Sequence, residues 1–192
     1  MGALLFNGDP MCTGTAVSAD QVLTAAHCFE ATGQERAGWR FAIGPNARSP
    51  DREYAVAHID WLADPRVEGH DRDIALIRLS DAALDPVRCA DRVDSSGGVL
   101  VGYGWTRRND GRLTERGVRR SSLVGLAGGG VPSETESVPC AGDSGGPILE
   151  GGYGGPLVAI HLAGRRSCGR GTALRLNASI CGWLGGRGVR CQ

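Results

Sequence analysis

The sequence predicts an all-β protein, built either as a β-sandwich or as a pair of β-barrels. Glycine accounts for 31 of the 192 residues without the three-residue period of collagen, which is typical of a chain with many tight turns. Short apolar runs recur along the sequence, and most have the length of a strand and end at Gly, Pro, Asn or Asp. Together these observations favour short antiparallel strands joined by turns.

The predicted strands follow one another along the chain. In order they are GALLFN, GTAVSA, QVLTAAHC, WRFAIG, EYAVAHIDWL, DIALIRLS, GVLVGYGW, GPILEG and PLVAIHLAG. TALRL alternates apolar and polar side chains, as a half-buried strand does. The one sizeable helix is predicted near the end, around NASICGWLGG. Residues 106–122 are charged and dotted with glycine, residues 126–139 are rich in Gly, Pro and Ser, and both segments are predicted to be loops.

Composition argues against several classes of function. Lys and Arg together number 21, as do Asp and Glu, so no basic excess favours a nucleic-acid partner. No stretch approaches the roughly 20 apolar residues that a membrane-spanning helix needs. We therefore expect neither nucleic acid nor a membrane among the partners.

The cysteine pattern predicts disulfides and an oxidising, extracellular compartment. No C-x-x-C pair occurs, which weakens zinc-ribbon and thioredoxin interpretations, and widely spread cysteines fit disulfides better. The odd number leaves one cysteine over. The start, MGALLF, has no basic region and no adequate apolar region of a secretory signal, so we expect that the natural N-terminus is missing. The seven cysteines are Cys12, Cys28, Cys89, Cys140, Cys168, Cys181 and Cys191.

A serine among glycines, in the stretch Gly142–Gly146 (GDSGG), is the candidate nucleophile. The stretch matches both the G-x-S-x-G nucleophile elbow of α/β-hydrolases and the G-D-S-G-G of a different hydrolase. The elbow requires the acid and the histidine to follow the serine, with a helix directly after it. Only Glu150 and His161 follow Ser144, and GGPILEGGYGGP is not a helical sequence. These features exclude the elbow.

A weak hydroxyl nucleophile needs a base, and the base needs an orienting carboxylate. His27, in LTAAHC, is the candidate base, because a disulfide from Cys28 to Cys12 would make its loop rigid. Closing that loop is worth about 3 kcal/mol in the chain-entropy model. Asp73 heads the apolar strand DIALIRL and is the candidate acid, whereas its rival Asp71 lies in polar sequence and is expected to face solvent.

An oxyanion hole is predicted from two backbone N–H groups beside the nucleophile, those of Gly142 and Ser144. Gly142 has no Cβ and can adopt an unusual φ that turns its N–H toward a substrate carbonyl oxygen.

The order His27, Asp73, Ser144 resembles the chymotrypsin-like (trypsin-fold) serine proteases, in particular the bacterial secreted type. The likeness runs from about Leu4 to Leu184. The motifs that carry it are TAAHC, DIALIRL and CAGDSGGP, supported by LVGYGWT at 100–106 and GTALRL at 171–176.

The resemblance implies an all-β fold of two six-stranded antiparallel β-barrels with a C-terminal helix, and an active site in the cleft between the barrels. It implies a single peptidase domain over 1–192. The expected parts are an N-terminal barrel over about 1–88, a C-terminal barrel over about 97–176 and a helix over about 177–186.

The resemblance also implies a serine endopeptidase that works through an acyl-enzyme and needs no metal and no cofactor. Peptides or proteins are the expected substrates, a protein inhibitor is a further expected partner, and the expected form is a secreted monomer.

For the cysteines, the resemblance implies one bridge from Cys12 to Cys28 and another from Cys140 to Cys168, across the substrate pocket. A bridge from Cys89 to Cys181 would tie the segment between the barrels to the final helix and leave Cys191 over. Two other bridges of the family are absent. The positions of one of them are held by Gly98 and Glu150.

The N-terminus departs from the family pattern. Mature relatives begin with a sequence like I-V-G-G, and their freed α-amino group forms a buried ion pair with the aspartate before the nucleophile, here Asp143. No such partner is visible, because only eleven residues precede Cys12. A buried carboxylate without a partner is costly or becomes protonated. We expect a fragment of a longer precursor. The alternatives are another device for Asp143, or a non-catalytic, zymogen-like binding protein.

The substrate pocket also departs from the trypsin pattern. Cleavage after Lys or Arg uses an aspartate six residues before the serine, where this chain has Val138. His161 stands where Glu-preferring bacterial relatives carry a histidine, and Leu162 replaces a common serine. The expected preference is for Glu or a small apolar side chain. The predicted pocket residues are Val138, His161, Leu162, Gly164 and Gly171.

Overall fold

The computed structural model describes residues 1–33, 35–64, 70–92, 97–104, 117–122, 140–163 and 172–192. Within them the chain forms eleven strands and one α-helix. The elements are β1 Gly2–Phe6, β2 Asp9–Ala16, β3 Gln21–Thr24, β4 Trp39–Ile43, β5 Arg52–Trp61, β6 Ala75–Leu79, β7 Gly97–Gly102, β8 Gly117–Ser122, β9 Pro147–Glu150, β10 Leu157–Ala163, β11 Thr172–Arg175 and α1 Ala178–Gly185.

The first six strands close into an antiparallel barrel in the order β1-β2-β3-β6-β5-β4. Its interior is filled by large apolar side chains, because alternate residues of each strand point inward. Phe29 packs edge-on against Trp39 with ring centroids 4.6 Å apart. The barrel predicted for the N-terminal half is confirmed. Its other core residues include Leu4, Val22, Phe41 and Ile77.

The remaining strands form a sheet in the order β11-β10-β9-β7-β8, again with antiparallel pairing. Five strands of this half lie in the described part of the chain, and a sixth strand, predicted for the second barrel, is not among them. The helix α1 packs on this sheet through Ile180 and Leu184, in an apolar cluster that also includes Leu23 and Ile74 of the first half. This cluster is therefore a core shared by the two halves, beside the separate core inside the first barrel.

The helix prediction is confirmed, and one loop prediction is wrong. Asn177 caps α1 by accepting a hydrogen bond from the Ile180 N–H, as preferred N-cap residues do. Gly117–Ser122, predicted to be loop, is strand β8, with its whole length in register with β7. Main-chain hydrogen bonds to a neighbouring strand do not require apolar side chains, and charged residues are common on edge strands. The lack of an apolar pattern in this segment therefore does not exclude a strand.

The disulfides confirm one prediction and correct another. Cys12 is bonded to Cys28 as predicted. Cys181 is bonded to Cys191, so its predicted pairing with Cys89 is wrong. After α1 the chain returns to the sheet and brings the Cα atoms of Cys181 and Cys191 to 5.7 Å, a separation that suits a disulfide.

Cys89 is the free cysteine among the described residues and lies in the shared core with 1% of its surface exposed. Burial raises the pKa of its thiol to about 12. It therefore acts as a small apolar side chain.

One further prediction concerns the second sheet. Gly98 and Glu150, identified as the positions of an absent family disulfide, lie directly opposite each other across β7 and β9. Their adjacency explains why the two cysteines are absent together.

No helix in the described part of the chain is long and apolar enough to span a membrane.

Candidate active site

The candidate base and acid lie at the ends of two paired strands. Strand β3 ends opposite the start of β6, where Thr24 is the register partner of Ala75. His27 follows three residues after Thr24, and Asp73 precedes Ala75 by two. Because antiparallel neighbours place such ends at the same edge of the sheet, the pairing brings these two residues together.

The Asp73 carboxylate holds both the ring and the main chain of His27. Its Oδ2 lies 2.6 Å from the His27 Nδ1, and its Oδ1 accepts the His27 backbone N–H at 2.8 Å. A carboxylate beside Nδ1 favours the tautomer with the proton on that nitrogen, which leaves Nε2 as the basic atom. Asp73 is buried with 5% of its side chain exposed, whereas the rival Asp71 is exposed, as predicted.

Small and rigid surroundings support the imidazole. Ala25 and Ala26 are fully buried, and the Cys12–Cys28 disulfide lies directly beside the ring. The two sulfur atoms and one nitrogen of His27 all lie within 4.8 Å of one another. This group is not a metal site, because a sulfur in a disulfide is not the thiolate that binds metals.

The candidate nucleophile lies in the second of two consecutive tight turns. The first turn is closed by a hydrogen bond from the Asp143 N–H to the Cys140 carbonyl at 3.1 Å, and the second by one from the Gly146 N–H to the Asp143 carbonyl at 2.9 Å. The third residue of each turn is a glycine with positive φ: Gly142 at 92° and Gly145 at 78°. A type II turn requires a positive φ at its third residue, which explains why Gly142 and Gly145 are glycines.

The Ser144 hydroxyl donates a hydrogen bond to the Leu162 carbonyl at 2.8 Å. Across the described residues it makes no hydrogen bond to His27. Catalytic hydrogen bonds without substrate are often long or misaligned and tighten when substrate binds. Rotation about the Cα–Cβ bond of Ser144 is the change needed to redirect the hydroxyl.

The turns around Ser144 are fixed to both halves of the molecule. The His161 carbonyl accepts from the Gly145 N–H at 2.7 Å, and the His161 N–H donates to the Gly146 carbonyl at 2.8 Å. From the first barrel, the Thr13 N–H donates to the Ser144 carbonyl at 2.8 Å.

Asp143 is completely buried, and its carboxylate accepts hydrogen bonds from the N–H groups of Gly104 and Cys140, both at 2.8 Å. A Cβ at Gly102 or at Gly104 would lie less than 3.0 Å from this side chain. The Gly-Tyr-Gly stretch at the end of β7 therefore gives the carboxylate the space that it occupies. Sequence analysis found no partner for Asp143, and the structure shows two main-chain donors.

Comparison with known proteins agrees with this geometry. The family model described as Trypsin matches residues 1–181. The chain belongs to the trypsin family. It is a serine endopeptidase. Proteins similar to it include the vitellin-degrading protease of Bombyx mori, which is 29% identical over 89% of this chain and 71% of that protein. Human kallikrein-8 is 28% identical over 95% of this chain and 78% of that protein.

A solved structure of neuropsin, a serine protease of the mouse limbic system, has the same fold. Its TM-score is 0.76 at 23% identity, over 97% of this chain and 92% of that chain. This trypsin-family chain thus has the fold that its motifs implied.

Two of the predicted pocket residues of this trypsin-family chain can be located. His161 and Leu162 are neighbours on β10, each with 1% of its surface exposed. Cys140 is disulfide-bonded. The other three predicted pocket residues, Val138, Gly164 and Gly171, lie outside the described residues, as does Cys168, the predicted disulfide partner of Cys140.

Sequence analysis missed Thr13, which bonds to the nucleophile turns, and Tyr103 and Thr24, which bond to Thr13. The Thr13 hydroxyl donates to the Gly142 carbonyl and accepts the Tyr103 N–H, and the Thr24 hydroxyl donates to the Thr13 carbonyl. The sequence carries no signal for these threonines, because threonine is common in strands and the same two strands hold other polar residues, Thr15 and Gln21.

Proposed function

We propose that this chain cleaves peptide bonds with Ser144 as nucleophile, His27 as general base and acid, and Asp73 as the orienting carboxylate. The observation that carries the proposal is the pair of contacts by which Asp73 holds the ring and the main chain of His27. A free surface histidine would have neither. The contacts leave Nε2 as the only ring nitrogen able to take a proton from a nucleophile.

The reaction has two parts. The Ser144 Oγ attacks the carbonyl carbon of the substrate as its proton passes to the His27 Nε2, and the Asp73 carboxylate stabilises the resulting imidazolium. His27 then returns that proton to the leaving amine, and an acyl-enzyme remains on Ser144. Water attacks the acyl-enzyme in the same manner, with His27 again as base, and releases the second product.

The backbone N–H groups of Gly142 and Ser144 are the proposed donors to the tetrahedral oxyanion. The positive φ of Gly142 supports this role, because a side chain there would disfavour the turn. Removal of one such donor costs about 10²–10³ in rate in other enzymes.

The proposed specificity is for Glu or a small apolar side chain at P1, the residue before the cleaved bond. Buried His161 supports it, since both its main-chain polar groups bond to the turn that carries Ser144. These bonds fix the backbone of His161 beside the nucleophile, and the proposal places its imidazole at the base of the pocket. Matched peptide substrates with Glu, Ala or Arg at P1 test the specificity, and the highest kcat/KM with Arg would exclude it.

We further propose that the protein acts outside the cell, as a monomer, on peptides or proteins. The disulfides Cys12–Cys28 and Cys181–Cys191 support an oxidising compartment, where such bonds persist. A protein inhibitor that inserts a peptide loop beside Ser144 is the expected regulatory partner.

The alternative is a zymogen-like binding protein, and the hydrogen bond from the Ser144 hydroxyl to Leu162 favours it. A fluorophosphonate probe distinguishes the two, because it labels only an activated serine. The wild type should be labelled, and Ser144→Ala and His27→Ala should not. No labelling of the folded wild type would support the alternative.

A further inference from the structure

The first barrel reaches into the nucleophile turns through the buried side chain of Thr13 on β2. The residue has no exposed surface. Its hydroxyl donates to the Gly142 carbonyl at 2.8 Å and accepts the Tyr103 N–H at 3.0 Å. Because the Tyr103 N–H can only donate and the Gly142 carbonyl can only accept, the direction of both hydrogen bonds is determined.

The main chain of Thr13 makes two more bonds at the same place. Its N–H donates to the Ser144 carbonyl, and its carbonyl accepts the Thr24 hydroxyl, each at 2.8 Å. A Cβ at Gly145 would lie less than 3.0 Å from both the Thr13 carbonyl and the Thr24 hydroxyl. The turns are thus packed directly on this residue.

The hydroxyl acts on the peptide that follows the proposed oxyanion donor. This peptide joins Gly142 to Asp143, and Thr13 holds its carbonyl end while the Cys140 carbonyl holds its N–H end. Glycine adopts either sign of φ at similar cost, so Gly142 on its own does not fix the direction of its N–H. The bond from Thr13 restricts this choice.

We propose that Thr13 is a positioning residue for the oxyanion hole: its hydroxyl keeps Gly142 in the conformation that directs the N–H toward the substrate. Without the hydroxyl, the Gly142 carbonyl and the Tyr103 N–H lose a buried hydrogen bond. Buried polar groups that lose partners drive rearrangement, and Gly142 is the residue that rearranges most easily.

The proposal rests on the proposed function, so its test includes a variant of the nucleophile. Thr13→Val removes the hydroxyl and keeps the side-chain shape. Thr15→Val is the matched control, because Thr15 lies on the same strand, is also fully buried, and its hydroxyl has no hydrogen-bond partner among the described residues. Both variants, the wild type and Ser144→Ala are assayed on a peptide p-nitroanilide.

The expected result separates kcat from KM. Thr13→Val should lower kcat about 10- to 100-fold with KM changed less than about 2-fold, which marks an interaction made only in the transition state. Binding of a peptide aldehyde, which forms a tetrahedral adduct with Ser144, should weaken by the same factor. Thr15→Val should change neither quantity by more than about 2-fold.

A second pair of variants covers the case in which Thr13→Val fails to fold. Thr13→Ser and Thr13→Ala both lack the methyl group and differ only in the hydroxyl. Thr13→Ser should retain wild-type kcat within about 3-fold, whereas Thr13→Ala should fall as far as Thr13→Val. Equal loss in both, or equal kcat in Thr13→Val and Thr15→Val, would overturn the proposal. Turnover by Ser144→Ala would instead refute the proposed function.

Discussion

His27 and Asp73 are held together inside one barrel, whereas Ser144 is held between that barrel and the second sheet. The acid and base need only the pairing of β3 with β6 and the Cys12–Cys28 disulfide. The turns around Ser144 need Thr13 from the first half and His161 from the second.

This difference indicates that the two parts of the site respond to different changes. Substitutions inside the first barrel can abolish proton transfer without moving the nucleophile. Substitutions where the halves meet should change the geometry of the nucleophile and the stability of the whole molecule together, since one apolar core joins the halves.

The largest expected effect is on the acid–base pair alone. Asp73→Asn should lower kcat about 10⁴-fold, because an amide at this place favours the wrong tautomer of His27. Burial of the residue and its bond to the His27 main chain leave the shape of the site unchanged. Initial rates on a peptide p-nitroanilide measure the loss, and circular dichroism checks the fold. A variant that retained more than about a tenth of wild-type kcat would contradict the assigned role of Asp73.

The second effect should appear at the contact between the halves. Gly145→Ala places a Cβ less than 3.0 Å from Thr13 and Thr24, at a residue with a φ of 78°. We expect the free energy of unfolding to fall by several kcal/mol, or folding to fail, because strain and overpacking act together.

Gly151→Ala is the control for backbone strain alone. Gly151 has a φ of 68°, and a Cβ there would meet nothing within 4 Å. Its cost should be about 1 kcal/mol in urea unfolding. Equal costs at the two positions would show that the contact between the halves is not tightly packed.

The third effect depends on pH and concerns the shared core. Burial raises the pKa of the Cys89 thiol from the ordinary cysteine value of 9.0, which we take for the unfolded chain, to about 12 in the fold. Between these values the unfolded chain releases a proton that the folded chain retains. The free energy of unfolding should therefore fall as pH rises from 9 to 12, by about 1.4 kcal/mol for each pH unit at most.

Cys89→Ala isolates this contribution. The cavity that it leaves lowers stability by the same amount at every pH, whereas the pH-dependent part disappears. Urea unfolding at pH 8, 9 and 10 measures the difference in slope between the two proteins. Parallel pH profiles would show that the thiol titrates normally in the folded protein.

The success of sequence analysis differed between the two halves for a physical reason. The motifs around His27 and Asp73 predicted that the two residues form a pair, and the register of β3 with β6 then brings them to 2.6 Å. The pairing of Cys181 with Cys191 depends on where the chain goes after α1, which local pattern does not specify. Strand β8 depends on main-chain bonds to β7 and left no apolar pattern.

The role of Thr13 was not visible from the sequence for a related reason. Threonine is common in strands, and both Thr13 and Thr15 are buried on β2. What distinguishes them is the presence of Gly142 and Tyr103 beside only one hydroxyl. Such a contact joins residues 129 positions apart, and composition and periodicity carry no information about it.

The last comparison is between the two disulfides. Replacing both cysteines of a bridge by alanine should lower the free energy of unfolding by about 3 kcal/mol in either case, since the bridges close loops of similar length, with sequence separations of 16 and 10.

The effects of the two replacements on catalysis should differ. Loss of Cys12–Cys28 removes the bridge beside the His27 ring and should lower kcat, because the base is less rigidly held. Loss of Cys181–Cys191 affects α1 and the C-terminal segment beside Cys89, and it should leave kcat unchanged at a temperature where both variants are folded. Urea unfolding and steady-state kinetics on the same preparations make the comparison. An equal fall in kcat for both variants would show that the geometry of His27 and Asp73 also depends on the second half of the molecule.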